Sequence, residues 1–390
     1  MDYEMNIKTS GFKCDKTAWK TVKLGEICKL CRGVRVVRSQ LSHGRYTVYQ
    51  NSLIPLGKYD RCNTPPDTTF IIAAGSAGEI GYSQEQFWAA DDCYYLIPND
   101  GVASKFLFYS LLGHQSQISG SVRRGSVPRL ARDVIGNLEL RLPEGAIQHK
   151  ITDALSAVDT QIVALQQLLS KYESIKKATV NLLLKPSAET TLICIGDGFK
   201  LSGGLSATRD DLGDAGYCYL HYGDIHAANQ YCFDTEKDYS SIPKLDVNLK
   251  NVSTTSLLED GDVVFVDASE DTEGASKYIA IRNPNSIPYI AGLHTIVAKP
   301  NWEFWDKDYL AVIFQSTFVR KQFATLASGT KVCGVNKTTI KNIRIPCPTL
   351  KEQHRIAEKL MAIEAIFPPI KEKLEKLAVL KQSMLQYFFG

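Results

Sequence analysis

The chain of 390 residues lacks most of the features that would mark an enzyme or a membrane protein. No apolar run reaches the roughly 18 residues needed to span a bilayer. Met1–Ser10 holds no apolar h-region, so no secretory signal is expected. There is no P-loop, no HExxH and no G-x-S-x-G. The Asn-Pro-Pro-Tyr or Asp-Pro-Pro-Tyr tetrapeptide of adenine methyltransferases is also missing. No catalytic site is expected. Charge of one sign is scarce too: 45 Lys and Arg against 42 Asp and Glu leave a net charge of +3. Any surface for nucleic acid must therefore arise from local clustering.

Metal-ligand patterns are equally thin. Cys28-Lys-Leu-Cys31 has zinc-ligand spacing, but no second pair completes a site, so no metal is expected. Without a secretory signal, the ten cysteines read as reduced thiols of a cytoplasmic protein. The seven histidines show no ligand spacing, and His149 and His354 read as capping or surface residues at helix starts. Asp91-Asp92 and the acidic run from Glu259 to Glu273 lack the spacing of a calcium loop and read as solvated loops. Gly196-Asp197-Gly198-Phe199 looks like a cofactor-binding glycine turn, but lacks the strand–turn–helix context and reads as an ordinary turn.

What is present is an internal repeat. Ile151, Leu155, Val158, Ile162, Leu165, Leu169 and Tyr172 step by alternate fours and threes. So do Ile356, Leu360, Ile363, Phe367, Ile370, Leu374 and Leu377. That spacing is a coiled-coil seam. Every member of the second set follows its counterpart by 205 residues (356 − 151 = 205). The flanks share the offset. Gln148-His149-Lys150-Ile151 matches Gln353-His354-Arg355-Ile356, and Ile135, Leu138, Leu140 and Pro143 match Ile340, Ile343, Ile345 and Pro348. Each of these upstream sets reads as a short strand ending at proline. Phe106–Leu112 and Tyr309–Phe314 read as equivalent short buried helices.

The expected order is globular domain (1–147), long helix (148–186), globular domain (187–350) and long helix (351–390). Each long helix has ~37 residues and a length of ~55 Å. An exposed amphipathic helix of that length needs a partner. Compact domains keep their chain ends close, so the second helix should run back beside the first as an antiparallel pair. Pro368-Pro369 falls inside the second seam and predicts a kink or break near Phe367. Both globular parts read as α+β and rich in strands, with a pseudo-twofold repeat between them. Candidate strands are Tyr46–Tyr49, Phe70–Ala74 and Cys93–Ile97 in the first, and Tyr217–Leu220, Asp262–Val266 and Thr295–Ala298 in the second. The loops between them differ widely.

One stretch of the first domain has the composition of a DNA surface. Residues 32–61 carry Arg32, Arg35, Arg38, Arg45, Lys58 and Arg61 against the single acid Asp60, interleaved with Tyr46, Tyr49, Gln50 and Asn51. Cations neutralise phosphates and position a protein on the duplex. Arginine also pairs bidentately with guanine, and Asn or Gln with adenine. A second cluster, Arg123, Arg124, Arg129 and Arg132 around Gly125-Ser126, has its counterpart in Ser328-Gly329-Thr330-Lys331 followed by Asn336-Lys337. Small residues beside cations let backbone approach a phosphate. The second domain offers Tyr219, His221, Tyr222, Asn229, Gln230 and Tyr231, polar and aromatic but weakly basic. Ordinary solvated loops remain an open reading of both sets.

The repeat ending carries a resemblance. Ile340-x-x-Ile343-x-Ile345-Pro346-x-Pro348-x-Leu350-x-Glu352-Gln353-x-Arg355-Ile356-Ala357 is similar to the signature that opens the long helices of type I restriction–modification specificity subunits. Trp19-x-x-x-x-Leu24-Gly25-Glu26-Ile27 resembles that family's opening, and Gly125-Ser126 and Ser328-Gly329-Thr330 its small-residue turn. Ile147 replaces the usual acid before Gln148. The resemblance spans nearly the whole chain. It implies two target-recognition domains, each reading one part of an asymmetric bipartite target in double-stranded DNA. It implies helices that fix the unspecified gap and dock two methyltransferase subunits. It implies S-adenosylmethionine, ATP and Mg in those and in two restriction subunits, and none in this chain. Two rivals share the architecture: a stand-alone DNA-binding or antirestriction protein, and a coiled-coil scaffold whose domains bind protein. Failure to copurify with a methyltransferase favours the first, and absence of salt-dependent DNA affinity the second.

Overall fold

The computed structural model describes residues 16–228, 230–269, 277–326 and 333–390. The chain divides into two compact units, Met1–Leu168 with Ile370–Gly390, and Leu169–Pro369. Each unit is mixed α+β, and the same plan is built twice.

In the first unit, β1 (Lys20–Lys23) leads through a one-turn helix α1 (Leu24–Ile27) into β2 (Cys28–Arg32). Then come β3 (Tyr46–Tyr49), β4 (Gly57–Tyr59), β5 (Thr68–Ile72), β6 (Ile80–Ser83), β7 (Phe87–Ala89) and β8 (Cys93–Pro98). Helices α2 (Ser104–Gly113), α3 (Gln115–Gly120) and α4 (Arg132–Gly136) precede β9 (Glu139–Leu142). The larger sheet runs β2-β8-β5-β6, a three-stranded sheet runs β4-β3-β7, and β9 returns to β1. β5 is buried at all five positions, with Phe70, Ile71 and Ile72 at the centre of two apolar clusters.

The second unit repeats this. β10 (Leu192–Cys194), α6 (Ile195–Gly198) and β11 (Phe199–Gly203) stand for β1, α1 and β2. They are followed by β12 (Leu212–Gly213), β13 (Tyr217–Leu220), α7 (Tyr222–Ala227), β14 (Cys232–Asp234), β15 (Lys244–Leu245), β16 (Val263–Val266), β17 (Ala268–Ser269), β18 (Tyr278–Arg282), β19 (Tyr289–Ala291) and β20 (Thr295–Pro300). Helices α8 (Lys307–Ile313) and α9 (Thr317–Leu326), strand β21 (Cys333–Gly334), helix α10 (Lys337–Ile340) and β22 (Arg344–Pro346) complete it. β3 lies parallel to β7, and β13 parallel to β19. Matching hydrogen bonds recur in the two copies: Leu24 N to Leu138 O and Ile195 N to Ile343 O are both 2.9 Å, the acceptors 205 residues apart and the donors 171 (343 − 138 = 205, 195 − 24 = 171). The glycine turn at Gly196–Phe199 is thus the counterpart of α1, a structural corner. Gly33 and Gly204 are required by close approach: a Cβ would sit 2.0 Å from Ala90 O in one copy and 1.9 Å from Gly292 O in the other.

The stretch read as one short strand before each helix is instead a helical turn followed by a strand. Ile135 lies in α4 and Ile340 in α10, whereas Leu140 and Ile345 lie in β9 and β22. The apolar steps of three and then two residues record that change of period.

The long helices are α5 (Gly145–Leu183), α11 (Leu350–Glu364) and α12 (Phe367–Phe389). At 39 residues α5 is about 58 Å long. The interruption expected near Phe367 lies at residues 365–366. Pro368 and Pro369 fall in the first turn of α12, where a missing N–H costs nothing. The packing is antiparallel. Within the first unit, Ile151, Leu155 and Val158 of α5 share a core with Leu377, Leu385 and Phe388 of α12. Within the second, Val180 of α5 and Leu184 join Ile356 and Leu360 of α11. Of the seam, Phe367 and Ile370 are also buried, while Ile162, Leu165, Leu169, Ile363 and Leu374 are half-buried.

Two ion pairs repeat across the helices. Asp159 Oδ1 meets Lys381 Nζ at 2.7 Å in the first unit, and Glu364 pairs with Lys176 in the second. Both acids and both lysines are related by the 205 offset (364 − 159 = 205, 381 − 176 = 205), so each pair is the other's counterpart in the repeat. Asp159 also accepts a bond from the Tyr109 hydroxyl at 2.8 Å. A double-mutant cycle on Asp159→Ala and Lys381→Ala is expected to return a coupling of about 0.5–1.5 kcal/mol by urea denaturation. Asp159→Ala alone should cost more than Lys381→Ala, because it also leaves the tyrosine hydroxyl only the longer contact to Ser156 Oγ at 3.3 Å. Additive single effects would show that the pair contributes nothing.

Candidate nucleic-acid interface

In the first unit the loops around the ends of β2, β3 and β5 carry the candidate residues. Ser76 N donates to Asn51 O at 2.8 Å, and Gly75 N to Pro128 O at 3.2 Å. The turn at Gly75-Ser76 therefore ties the 50–56 loop to the 123–129 loop. That second loop is closed by Arg123 and Arg129, which exchange backbone bonds of 2.9 and 3.1 Å. The fold brings together two clusters that are far apart in sequence. Asn51, Arg123, Arg124, Ser126 and Arg129 are exposed, and Gln50 is half-buried. Arg35, Arg38, Arg45 and Arg61 are exposed as well, with the Arg45 guanidinium 4.8 Å above the half-buried Tyr46 ring. Arg32 is exposed but its Nε donates to Asp91 O at 2.9 Å, and Lys58 Nζ donates to Thr47 Oγ1 at 3.0 Å. Arg132 is turned away from the cluster and donates to Leu30 O at 2.7 Å.

The structure turns some of the expected contact residues inward or into internal bonds. The Tyr49 ring packs at 4.7 Å from Phe70 and 5.3 Å from Phe87, and burial raises its hydroxyl pKa. Tyr219 is fully buried, its hydroxyl donating to Leu205 O at 2.7 Å and accepting from Leu293 N. Both face the core because strand residues alternate between faces, and these fall on the inner one. Asn336 is a helix cap, with Oδ1 accepting from Thr338 N and Thr339 N at 2.9 Å. Gln230 is exposed and donates to Asp238 at 3.3 Å, and Lys337 is exposed. Asn229, Thr330 and Lys331 lie outside the described residues.

The second unit places different chemistry on the same frame. Ala90 N donates to Tyr49 O, and Gly292 N to Leu220 O, so Gln50 and His221 are equivalent in the two copies. Where the first unit has Gln50, Asn51 and Asp92, the second has His221, Tyr222 and His294. Tyr222 packs 4.5 Å from the His221 ring and 5.3 Å from His294. His294 adopts a left-handed backbone (φ 59°) and its Nδ1 lies 3.1 Å from Asp267 Oδ1. Arg209, half-exposed, pairs with Asp224 at 2.8 Å beside them. Neither His294 nor Arg209 stood out in the sequence. The signal was there for His294: the Gly292-Leu293-His294 turn before β20 is the counterpart of Ala90-Asp91-Asp92 before β8.

His221 caps α7, its Nδ1 accepting from Gly223 N at 3.0 Å, so the neutral ring carries its proton on Nε2. Burial first, then Arg209 and His294, lower its pKa below the ordinary 6.5, with Asp224 opposing. The unfolded chain therefore binds more protons than the folded one below that value. Stability tied to His221 is present above it and is lost as pH falls through it. The unfolding midpoint of the native chain should drop more than that of His221→Asn between about pH 7.5 and about pH 5.5. Parallel profiles would remove His221 as the cause.

Among the described residues, no group of three or more His, Cys, Asp or Glu could hold a metal ion. Cys28 and Cys31 lie on β2 three residues apart and so on opposite faces. Burial, then Cys31, pushes the Cys28 thiol up to about 12, unfit for a thiolate ligand. No described helix is long and apolar enough to cross a membrane.

A duplicated frame on a helix pair, with unlike polar loops at equivalent places, defines a two-domain recognition protein. The type I restriction modification DNA specificity domain matches residues 16–175 and 222–378, and the chain belongs to this family. It is 24% identical over 382 residues to a putative type I specificity subunit of Mycoplasma pneumoniae, covering 95% of this chain and 96% of that one. It is 20% identical over 394 residues to the type I restriction enzyme MjaVIII specificity subunit of Methanocaldococcus jannaschii, covering 94% and 91%. The crystal structure of a type I restriction-modification S subunit from M. genitalium has the same fold, with TM-score 0.68 at 15% identity over 97% of this chain and 98% of that one. The chain is a DNA specificity subunit with two target-recognition domains, and it is itself non-catalytic.

Proposed function

We propose that the chain reads an asymmetric bipartite target in double-stranded DNA, one half through the loops of each unit. The observation that carries this is the difference at equivalent places: Gln50, Asn51 and Asp92 in one copy against His221, Tyr222 and His294 in the other. A shared backbone with unlike hydrogen-bonding groups suits two unlike half-sites. Arg123, Arg124 and Arg129 grip phosphate, as does Lys331 in the second unit. The helix pair sets the length of the unspecified gap and docks two methyltransferase subunits. Those subunits bind S-adenosylmethionine and methylate adenine N6 after flipping the base from the stack. Two restriction subunits add ATP- and Mg-dependent translocation and cleavage.

The test is genome-wide mapping of N6-methyladenine with and without this gene. A bipartite motif that loses methylation on deletion is expected. An unchanged methylome, with the methyltransferase expressed, would count against the proposal.

A further inference from the structure

The loop from Gln50 to Leu56, between β3 and β4, carries apolar side chains where a solvated loop would carry polar ones. Ile54 is 78% exposed and Leu53 38%. Val127, 49% exposed, stands on the 123–129 loop that Gly75 and Ser76 tie to this one. Arg123, Arg124 and Arg129 are exposed on the same 123–129 loop as Val127. Exposed apolar groups among polar ones mark an interaction site, and arginines on the neighbouring loop select a polyanion. The loop is also held. Leu53 N donates to the Glu79 carboxylate at 3.2 Å, Leu56 N to Val48 O at 2.8 Å, and the Ser52 hydroxyl to Ile54 O at 3.3 Å. Ile54 is thus presented from a defined base.

On a duplex, a branched aliphatic side chain meets one apolar group on a base edge: the thymine methyl, in the major groove. That groove is about 12 Å wide. The loop leaves the antiparallel β3–β4 pair, with Tyr46 opposite Tyr59 and Val48 opposite Gly57, and β3 is paired on its other side with β7, so the loop and not the strands would enter the groove. Asn51, exposed in the same loop, has the carboxamide that pairs with adenine N6 and N7. We propose that the β3–β4 loop is a major-groove reader of A·T pairs, in which Ile54 packs on a thymine methyl and Asn51 addresses adenine. This rests on the DNA-reading role proposed above and names its chemistry. In the second unit β13 is followed by α7 in place of this loop, so the reader serves one half-site only.

The test uses the full chain with its methyltransferase subunits and a randomised duplex library. Each thymine of the enriched first half-site is then replaced by deoxyuridine, which removes the methyl alone. At one thymine the native chain should lose about fourfold in affinity, the worth of one buried methyl group. Ile54→Ala should bind the unmodified target about tenfold more weakly and show no further loss with deoxyuridine at that position. Overturning results are no deoxyuridine effect anywhere, or an equal effect on native chain and variant. A rise in 2-aminopurine fluorescence that depends on Ile54, without a methyl effect, would make Ile54 a base-step wedge instead. A library with no enriched sequence would sink the DNA-reading role itself.

Discussion

Replacing Gln353 by alanine should destabilise the second unit by about 3–4 kcal/mol, from three lost bonds at a fully buried amide. Gln353 is 0% exposed. Its Oε1 accepts from Asp306 N at 2.8 Å, and its Nε2 donates to Phe304 O at 2.7 Å and Pro348 O at 2.9 Å. Asp306 in turn caps α8, accepting from Tyr309 N at 3.0 Å. The first turn of α11 is thereby fastened to the start of α8. Truncation takes the side-chain acceptor from Asp306 N and leaves the Phe304 and Pro348 carbonyls only the weak Cys347 thiol, at 3.4 and 4.0 Å, and each under-satisfied group carries a desolvation penalty. Gln148 does the same in the first unit: its Oε1 accepts from Ala103 N at 2.9 Å, and its Nε2 donates to Gly101 O and Pro143 O at 3.1 and 2.9 Å. Gln148→Ala should cost a comparable amount. Gln353→Met, which restores volume but not polarity, should recover only part of the loss. Urea denaturation of the full chain measures all three. A loss below about 1 kcal/mol for Gln353→Ala would show that water replaces the amide.

Removing Arg123, Arg124 and Arg129 together should weaken binding to every duplex by about a hundredfold or more at physiological salt, and flatten the plot of log affinity against log salt by about 2.7. Three neutralised phosphates release their counterions with a slope of about 0.9 each. All three side chains are exposed on the loop that the Gly75-Ser76 turn joins to Asn51, so none is needed for folding. Fluorescence anisotropy over a salt series, on target and scrambled duplexes, gives slope and preference together. A changed preference with an unchanged slope would make them base readers. An unchanged slope and affinity would remove the loop from the interface.

The helix pair was legible because heptad spacing and a constant offset survive in a linear string. Ile151 and Ile356 are identified as counterparts by spacing alone. The proline break was legible for the same reason: a missing N–H is a local fact. Gln148 and Gln353 were visible as part of a repeated motif, but their role was not. A glutamine at a helix start reads as surface until the fold buries it against residues 45 and 47 positions away.

The candidate interface divides along the same line. The basic stretch at 32–61 is compositional and could be read directly. Which of its members face outward could not: Tyr46 and Tyr49 lie on one strand, yet Tyr49 packs on Phe70 and Phe87 while Tyr46 carries Arg45 over its ring. Tyr219 was misjudged and His294 missed for this reason, since burial and turn conformation depend on partners distant in sequence. The sequence by itself determined the duplication, the seam, the break and the absence of known catalytic motifs, all carried by spacing between near neighbours. Only the tertiary structure decided which side chains remain free for DNA, because that depends on backbone bonds such as Ser76 to Asn51 and Gly75 to Pro128, which join loops the chain keeps far apart.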